Sequence, residues 1–200
     1  MKYYISDLHF GHKNIIRFDK RPFNSVEEME NALIDNWNKK VTNSDIVYIL
    51  GDFCFGRTSE WLRILSKLNG EKHLIIGNHD EGRLNTEIVN MFKTVQFYKE
   101  VTDCGRRIIL SHYPILFYKH AYSANTYMLY GHVHNNTEEV RFVDKYIQDL
   151  KDNCSLNYAK LYNVGCMMEY MNYTPRTLDE IILHNQSNGK TVFSDKKNME

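Results

Sequence analysis

Short apolar runs separated by polar segments mark the chain from its start to about residue 130. The runs are Lys2–Ser6, Asp45–Leu50, His73–Ile76, Arg107–Leu110 and Tyr127–Tyr130. Their apolar residues are nearly continuous, which is typical of strands that are covered on both faces. The pattern therefore predicts at least five buried strands.

The segments between several of these runs have helical spacing instead. Helices are predicted at Ser25–Lys40, Thr58–Leu68, Leu84–Phe92 and Glu138–Lys151. In the first of them, apolar residues recur at intervals of three and four, and Ser25 with Glu28 forms a candidate capping box. The order is β-α-β-α-β followed by strands with less helix between them, which favours a layered α/β fold with mixed sheets.

Length and charge restrict the classes of function. The 200 residues suit one domain, expected over residues 1–185, with a polar and flexible tail over 186–200. Lys+Arg and Asp+Glu are both 25, so the net charge is zero, which disfavours a protein that coats nucleic acid. The first apolar run is too short for a secretory signal, no segment is long enough to span a membrane, and the four cysteines form no CxxC pair. A cytoplasmic protein is expected.

Each predicted strand is followed by Asp, Asn or His. The five motifs are Asp7-Leu8-His9, Gly51-Asp52, Gly77-Asn78-His79-Asp80, Ser111-His112 and Gly131-His132-Val133-His134. One such residue is ordinarily a turn cap or a structural histidine. Five independent occurrences, with His-x-His and Asp-x-His among them, indicate instead a shared site at the carboxyl ends of the strands.

The residue types indicate a metal site. The candidate ligands are Asp7, His9, Asp52, Asn78, His112, His132 and His134. Carboxylate, imidazole and amide donors without a thiolate suit Mn, Fe, Ni, Zn or Co. Seven ligands are too many for one ion with an open position, but they suit two divalent ions that share a carboxylate.

The order and type of these motifs resemble those of the calcineurin-like metallophosphoesterase superfamily. The resemblance runs from residue 7 to 134, and Asn163-Val164-Gly165 is similar to a later strand of many members. The run Phe10-Gly11-His12-Lys13-Asn14-Ile15 resembles small bacterial and phage members in particular. This resemblance implies a sandwich of two mixed β-sheets flanked by helices, and an enzyme that hydrolyses phosphate esters.

The resemblance also implies individual roles. It assigns Asp7, His9 and His134 to a first ion, Asn78, His112 and His132 to a second, and Asp52 to a bridge between them. A hydroxide between the ions would attack the phosphorus, and His79 would protonate the leaving oxygen.

Some positions depart from the superfamily motifs or have a role that the motifs do not decide. Phe55 stands where Ser/Thr protein phosphatases of the superfamily have the Asp that orients the catalytic histidine, which argues against that branch and leaves the orientation of His79 unexplained. His12 and Asn14 either face the substrate or are solvated residues of a loop. The aromatic segment Tyr113–Tyr127 either selects the leaving group or is a packed loop or oligomer contact.

The predicted function is hydrolysis of phosphomonoesters or phosphodiesters of small substrates, nucleotides among them. A metal-dependent nuclease is the alternative, disfavoured by small size and zero net charge. A non-catalytic scaffold ranks below both, because no ligand of the motifs is missing. The substrate, the native metal and the oligomeric state are left open by the sequence.

Overall fold

The computed structural model describes residues 1–153 and 160–188. The strands are β1 (Lys2–Ile5), β2 (Ile46–Ile49), β3 (Glu71–Ile75), β4 (Thr94–Gln96), β5 (Tyr98–Asp103), β6 (Arg106–Ser111), β7 (Thr126–Tyr130) and β8 (Leu161–Asn163). The helices are α1 (Lys13–Phe18), α2 (Val26–Lys40), α3 (Thr58–Leu65), α4 (Thr86–Val89), α5 (Thr137–Asn153) and α6 (Leu178–Asn188). A short 3₁₀ turn lies at Glu81–Arg83.

The strands form two four-stranded sheets. The first has the order β1-β2-β3-β4 and is parallel throughout. The second has the order β5-β6-β7-β8, in which β5 and β6 are antiparallel and the other pairs parallel. The prediction of two sheets flanked by helices is confirmed, with the first sheet parallel and the second mixed. All five strands predicted from apolar runs are present.

The alternation of side chains along β6 and β7 assigns the two faces of the second sheet. Ile108 and Leu110 belong to the main core, which also contains residues of the first sheet, whereas Ile109 belongs to a smaller core together with Val143 of α5. Successive residues of a strand point to opposite faces, so one face packs toward the first sheet and the other lies under the helix. Burying each such side chain contributes about 1.5–3 kcal/mol.

The two sheets are also joined through the backbone beyond the end of β1. The Ser6 amide donates to the carbonyl of Val164, and the Cys166 amide donates to the carbonyl of Ser6. These bonds bring the segment after β8 alongside the segment after β1. The first residues of the candidate site are therefore held by both sheets.

The observed helices match the predicted ones best where the apolar repeat extends over the most residues. In α2 the Ser25 hydroxyl accepts a hydrogen bond from the Glu28 amide at 3.1 Å, as a cap should. The capping box is incomplete, because the Glu28 carboxylate accepts from the amide of Asn24 instead of that of Ser25. The helices predicted at Thr58–Leu68 and Leu84–Phe92 are shorter than expected, since each ends in turns.

Several features lie outside what the apolar pattern predicted. The pattern did not indicate α1, α6, β4 or β5, which are short or lack clear periodicity. Helix α6 continues to Asn188, and the rest of the predicted tail lies outside the described residues. In the described part of the chain, no helix is long and apolar enough to cross a membrane.

Candidate metal centre

The pairing of β1 with β2 continues past the ends of both strands. The Asp7 amide donates to the carbonyl of Gly51 at 3.0 Å, and the His9 amide donates to the carbonyl of Asp52 at 2.9 Å. The same ladder reaches Phe55, whose amide donates to the carbonyl of Phe10. The loops that carry the first two motifs thus run side by side, which places Asp7, His9 and Asp52 together.

Most of the predicted ligands have an unusual backbone conformation. The φ angles of five of them are positive: Asp7 54°, His9 53°, Asp52 53°, His132 69° and His134 49°. Non-glycine residues rarely adopt this left-handed region, and they concentrate at functional sites when they do.

Two motif glycines allow ligands from different motifs to approach. A Cβ atom added at Gly51 would lie 2.4 Å from Nδ1 of His112, and the φ of Gly51 is also positive, at 88°. A Cβ atom added at Gly131 would lie 2.5 Å from Oδ2 of Asp7. Both contacts are shorter than real Cβ contacts, so these positions need glycine for their neighbours to fit.

The first group of donors consists of Asp7, His9, Asp52 and His134. One potential ligand atom from each of the four lies within 4.8 Å of the others. Nε2 of His134 is 3.2 Å from Nε2 of His9 and 3.6 Å from Oδ1 of Asp7. These atoms converge closely enough to hold one ion.

The second group of donors consists of Asn78, His112 and His132. Oδ1 of Asn78 is 2.9 Å from Nε2 of His112 and 3.0 Å from Nδ1 of His132. Nδ1 of His112 lies 2.8 Å from the carbonyl oxygen of Leu50, which can only accept a hydrogen bond. The proton of a neutral His112 is therefore on Nδ1, and the Nε2 lone pair faces the other donors.

The charges of the centre also suit a cation. Asp7 and Asp52 are buried, and buried carboxylates are normally paired or bound to metal. Burial raises the pKa of Asp52, and the nearby Asp7 carboxylate raises it further although His112 opposes the change. Burial lowers the pKa of His9 well below its usual range, with His134 adding to the effect. A lowered pKa favours the neutral imidazole, which is the form that binds metals.

Asp19 and Arg21, which the sequence reasoning missed, support the first group. Oδ1 of Asp19 lies 2.8 Å from Nδ1 of His134, so the other ring nitrogen faces the site. This contact raises the pKa of His134 against the effect of burial. Arg21 is buried, binds Asp19 at 2.8 Å, and donates to the carbonyls of Asp7 and Leu8. A carboxylate behind a ligating histidine is a common orienting partner, but no spacing in the sequence signals this one.

Asp80 and His79, although adjacent, do different things. Asp80 is fully buried, and its carboxylate accepts hydrogen bonds from the amides of Asp52, Phe53 and Gly77 at 2.8–2.9 Å. It braces the two loops and does not bind the ring of His79. The His79 ring is partly exposed, and its Nε2 lies 4.0 Å from Oδ2 of Asp52.

Of the remaining residues predicted to contact the substrate, some lie beside the centre and others do not. His12 lies beside the centre, with its Nδ1 3.4 Å from Nδ1 of His9. Asn14 is exposed and lines a separate cavity of about 480 Å³, to which none of the seven predicted ligands contributes. Of the aromatic segment, Tyr113 reaches the centre, with its ring centroid 4.6 Å from that of His132. Phe117 and Tyr122 are exposed.

Comparison with known proteins agrees with the motifs. A protein of Methanocaldococcus jannaschii described as uncharacterized is 33% identical over 183 residues, covering 90% of this chain and 88% of that protein. The gene 66 protein of Mycobacterium phage L5 is 37% identical over 81 residues, or 39% of each chain. A solved structure from Aquifex aeolicus, of unknown function, has a TM-score of 0.66 and 28% identity, and the match covers 92% of this chain and 98% of that one.

The family assignment rests on a match that covers nearly the whole chain. The profile of the calcineurin-like phosphoesterase superfamily domain matches residues 2–178, which include both sheets and every motif described above. The chain belongs to the calcineurin-like phosphoesterase superfamily.

Proposed function

We propose that the protein is a metal-dependent phosphoesterase with a two-ion centre, acting on small phosphate esters. Members of this superfamily are typically metal-dependent phosphoester hydrolases. The observation that carries the proposal is the position of one carboxylate oxygen. Oδ2 of Asp52 lies 3.5 Å from Nε2 of His9, in the first group, and 3.7 Å from Nε2 of His112, in the second. An oxygen placed between two groups of donors suits a shared ligand.

The seven donors then divide as the motifs imply. Asp7, His9 and His134 would hold one ion, and Asn78, His112 and His132 the other, with Asp52 common to both. Two divalent cations bound in this way would neutralise charge on the phosphoryl oxygens and lower the pKa of water. Mn, Fe, Ni, Zn and Co all suit such donors.

His79 is the proposed proton donor to the leaving oxygen. Its amide donates to Oδ1 of Asp52 at 2.9 Å, which fixes its backbone to the shared ligand. Its side chain is 42% exposed, so the ring is open to an incoming ester while still next to the centre. Histidine is the side chain that most often serves as a general acid in enzymes.

The size of the cavity beside the centre supports the proposal of a small substrate. A cavity of about 570 Å³ opens next to His132 and His134, a size typical of pockets for small molecules. Its other lining residues include the apolar Phe18 together with Lys20, Asn136 and Glu139. Such a mixture suits an organic group with both apolar and hydroxyl surfaces, as in a nucleotide. The zero net charge lends no support to a long nucleic-acid substrate.

A substrate and metal panel tests the proposal. We would measure bound metals by elemental analysis, then hydrolysis of p-nitrophenyl phosphate, its bis-ester, cyclic nucleotides and short oligonucleotides with each metal. We expect near two ions per chain and activity on the small esters. Preference for oligonucleotides with strong salt dependence would favour the nuclease instead. Absence of bound metal, with no activity on adding Mn, would refute the proposal that the protein is an enzyme.

A further inference from the structure

The ring of Phe55 lies between two histidines beside the centre. It stacks on His12 with ring centroids 3.9 Å apart and planes 13° apart. It also contacts His79 with centroids 4.9 Å apart and planes inclined by 53°. The distance to His79 falls within the range of about 4.5–7 Å that is favourable for aromatic pairs. Phe55 is therefore in van der Waals range of both rings, in a loop that the β1–β2 ladder holds in place.

Arg83 links the same ring to the backbone of His79. Its guanidinium carbon lies 4.4 Å from the centroid of Phe55, within the range of a cation–π contact. Its Nη1 donates a hydrogen bond to the carbonyl of His79. With the Asp52 carboxylate accepting from the His79 amide, the main chain of His79 is held on both sides.

In the described part of the chain, no carboxylate takes the orienting role that the protein phosphatases give to an Asp at the position of Phe55. Within residues 1–153 and 160–188, no carboxylate hydrogen-bonds the His79 ring. The nearest is Oδ2 of Asp52 at 4.0 Å, and the Asp80 carboxylate is occupied by three backbone amides. The His79 ring contacts the rings of Phe55 and His9.

We propose that Phe55 is a positioning residue, which keeps the His79 ring directed at the leaving oxygen by aromatic packing in place of a carboxylate hydrogen bond. This rests on the proposed function, in which His79 is the proton donor. Since a general acid contributes about 10²–10⁴-fold and depends on its placement, a misdirected ring loses part of that factor. The loss falls on leaving groups that need a proton.

The test compares Phe55→Leu, which removes the ring but keeps an apolar side chain, with Phe55→Tyr, which keeps the ring. With phenyl phosphate we expect kcat of Phe55→Leu to fall about tenfold, since the acid is weakened. With p-nitrophenyl phosphate, a good leaving group, kcat should fall less than about threefold. KM and metal content should not change, and Phe55→Tyr should retain wild-type values on both esters. Phe97→Leu makes the same change at an exposed position outside the centre and serves as the control.

A double-mutant cycle separates positioning from a merely structural role. If Phe55 acts through His79, adding Phe55→Leu to His79→Ala should cause no further loss, because effects through one group are not additive. Phe55→Met, also without a ring, replaces Phe55→Leu if the latter does not fold. Equal losses on both esters, or additive losses in the cycle, would overturn the proposal. A wild-type enzyme inactive on every ester and metal would overturn the proposed function, and this proposal with it.

Discussion

Gly131 gives the sharpest test of how closely the centre is packed. Its replacement by alanine would place a Cβ atom 2.5 Å from Oδ2 of Asp7 and 2.5 Å from Oγ of Ser6. Real Cβ contacts are essentially never shorter than 3.0 Å, so one of the groups must move by about 0.5 Å or more. The φ of Gly131 is not in the left-handed region, so the substitution tests the contact and not the backbone.

Asp7 has little room to yield. It is fully buried, its Oδ2 accepts a hydrogen bond from the Ser6 hydroxyl at 2.7 Å, and both of its oxygens lie 3.2 Å from the His132 amide. Metal–ligand distances tolerate deviations of only about 0.2 Å. We therefore expect Gly131→Ala to weaken binding of the first ion by at least about tenfold, or about 1.4 kcal/mol. Overpacking should also lower the free energy of unfolding by about 1–3 kcal/mol.

The assay is competition for Mn with a fluorescent chelator, with urea unfolding of the metal-free protein in parallel. Gly82→Ala is the matched control, because a Cβ atom there meets no atom within 4 Å and the residue is exposed. We expect its metal affinity to equal that of the wild type. If Gly131→Ala binds Mn as tightly as the control, the argument that this glycine makes room for Asp7 is wrong.

Three further predictions concern the other residues of the centre. Asp52→Asn should reduce activity more than any single His→Ala change, since Asp52 is the proposed ligand of both ions; similar residual rates would contradict the shared role. His79→Ala should slow esters with poor leaving groups most, which a leaving-group series measures, and a uniform loss would exclude it as the acid. Asp19→Asn should lower metal affinity about 10–100-fold through His134, as titration with Mn would detect; unchanged affinity would reduce Asp19 to a structural residue.

The parts of the molecule that could be predicted from sequence are those with a local signature. Continuous apolar runs identified the five strands that precede the motifs, because strands buried on both faces need no polar alternation. Parallel strands end at one edge of a sheet, so the Asp, Asn and His residues after them were expected to meet there. The structure brings all seven together, although their roles as ligands stay predictions.

The supporting contacts could not be predicted, because they join residues that are far apart in the chain. Asp19 lies 115 residues from His134, and no periodicity connects them. The hydrogen bonds from Asp52 and Phe53 to Asp80 cross 28 and 27 residues, and they are made by backbone amides that carry no sequence information. The lengths of helices α3 and α4 were overestimated for a related reason, because local apolar spacing does not indicate where tertiary contacts end a helix.

These long-range contacts explain how the centre keeps its strained backbone. Residues with positive φ cost about 1–3 kcal/mol each and persist only where their surroundings hold them in place. Asp7 is held by its backbone hydrogen bonds to Gly51 and Arg21. Asp52 is held by the hydrogen bond from its backbone amide to the Asp80 carboxylate. The partners are buried charged groups: Asp80 accepts from three backbone amides, and Arg21 donates to two backbone carbonyls as well as to Asp19. The geometry of the centre therefore depends on Arg21 and Asp80 as much as on the donors, and removing either charge should release the loops even with every donor intact.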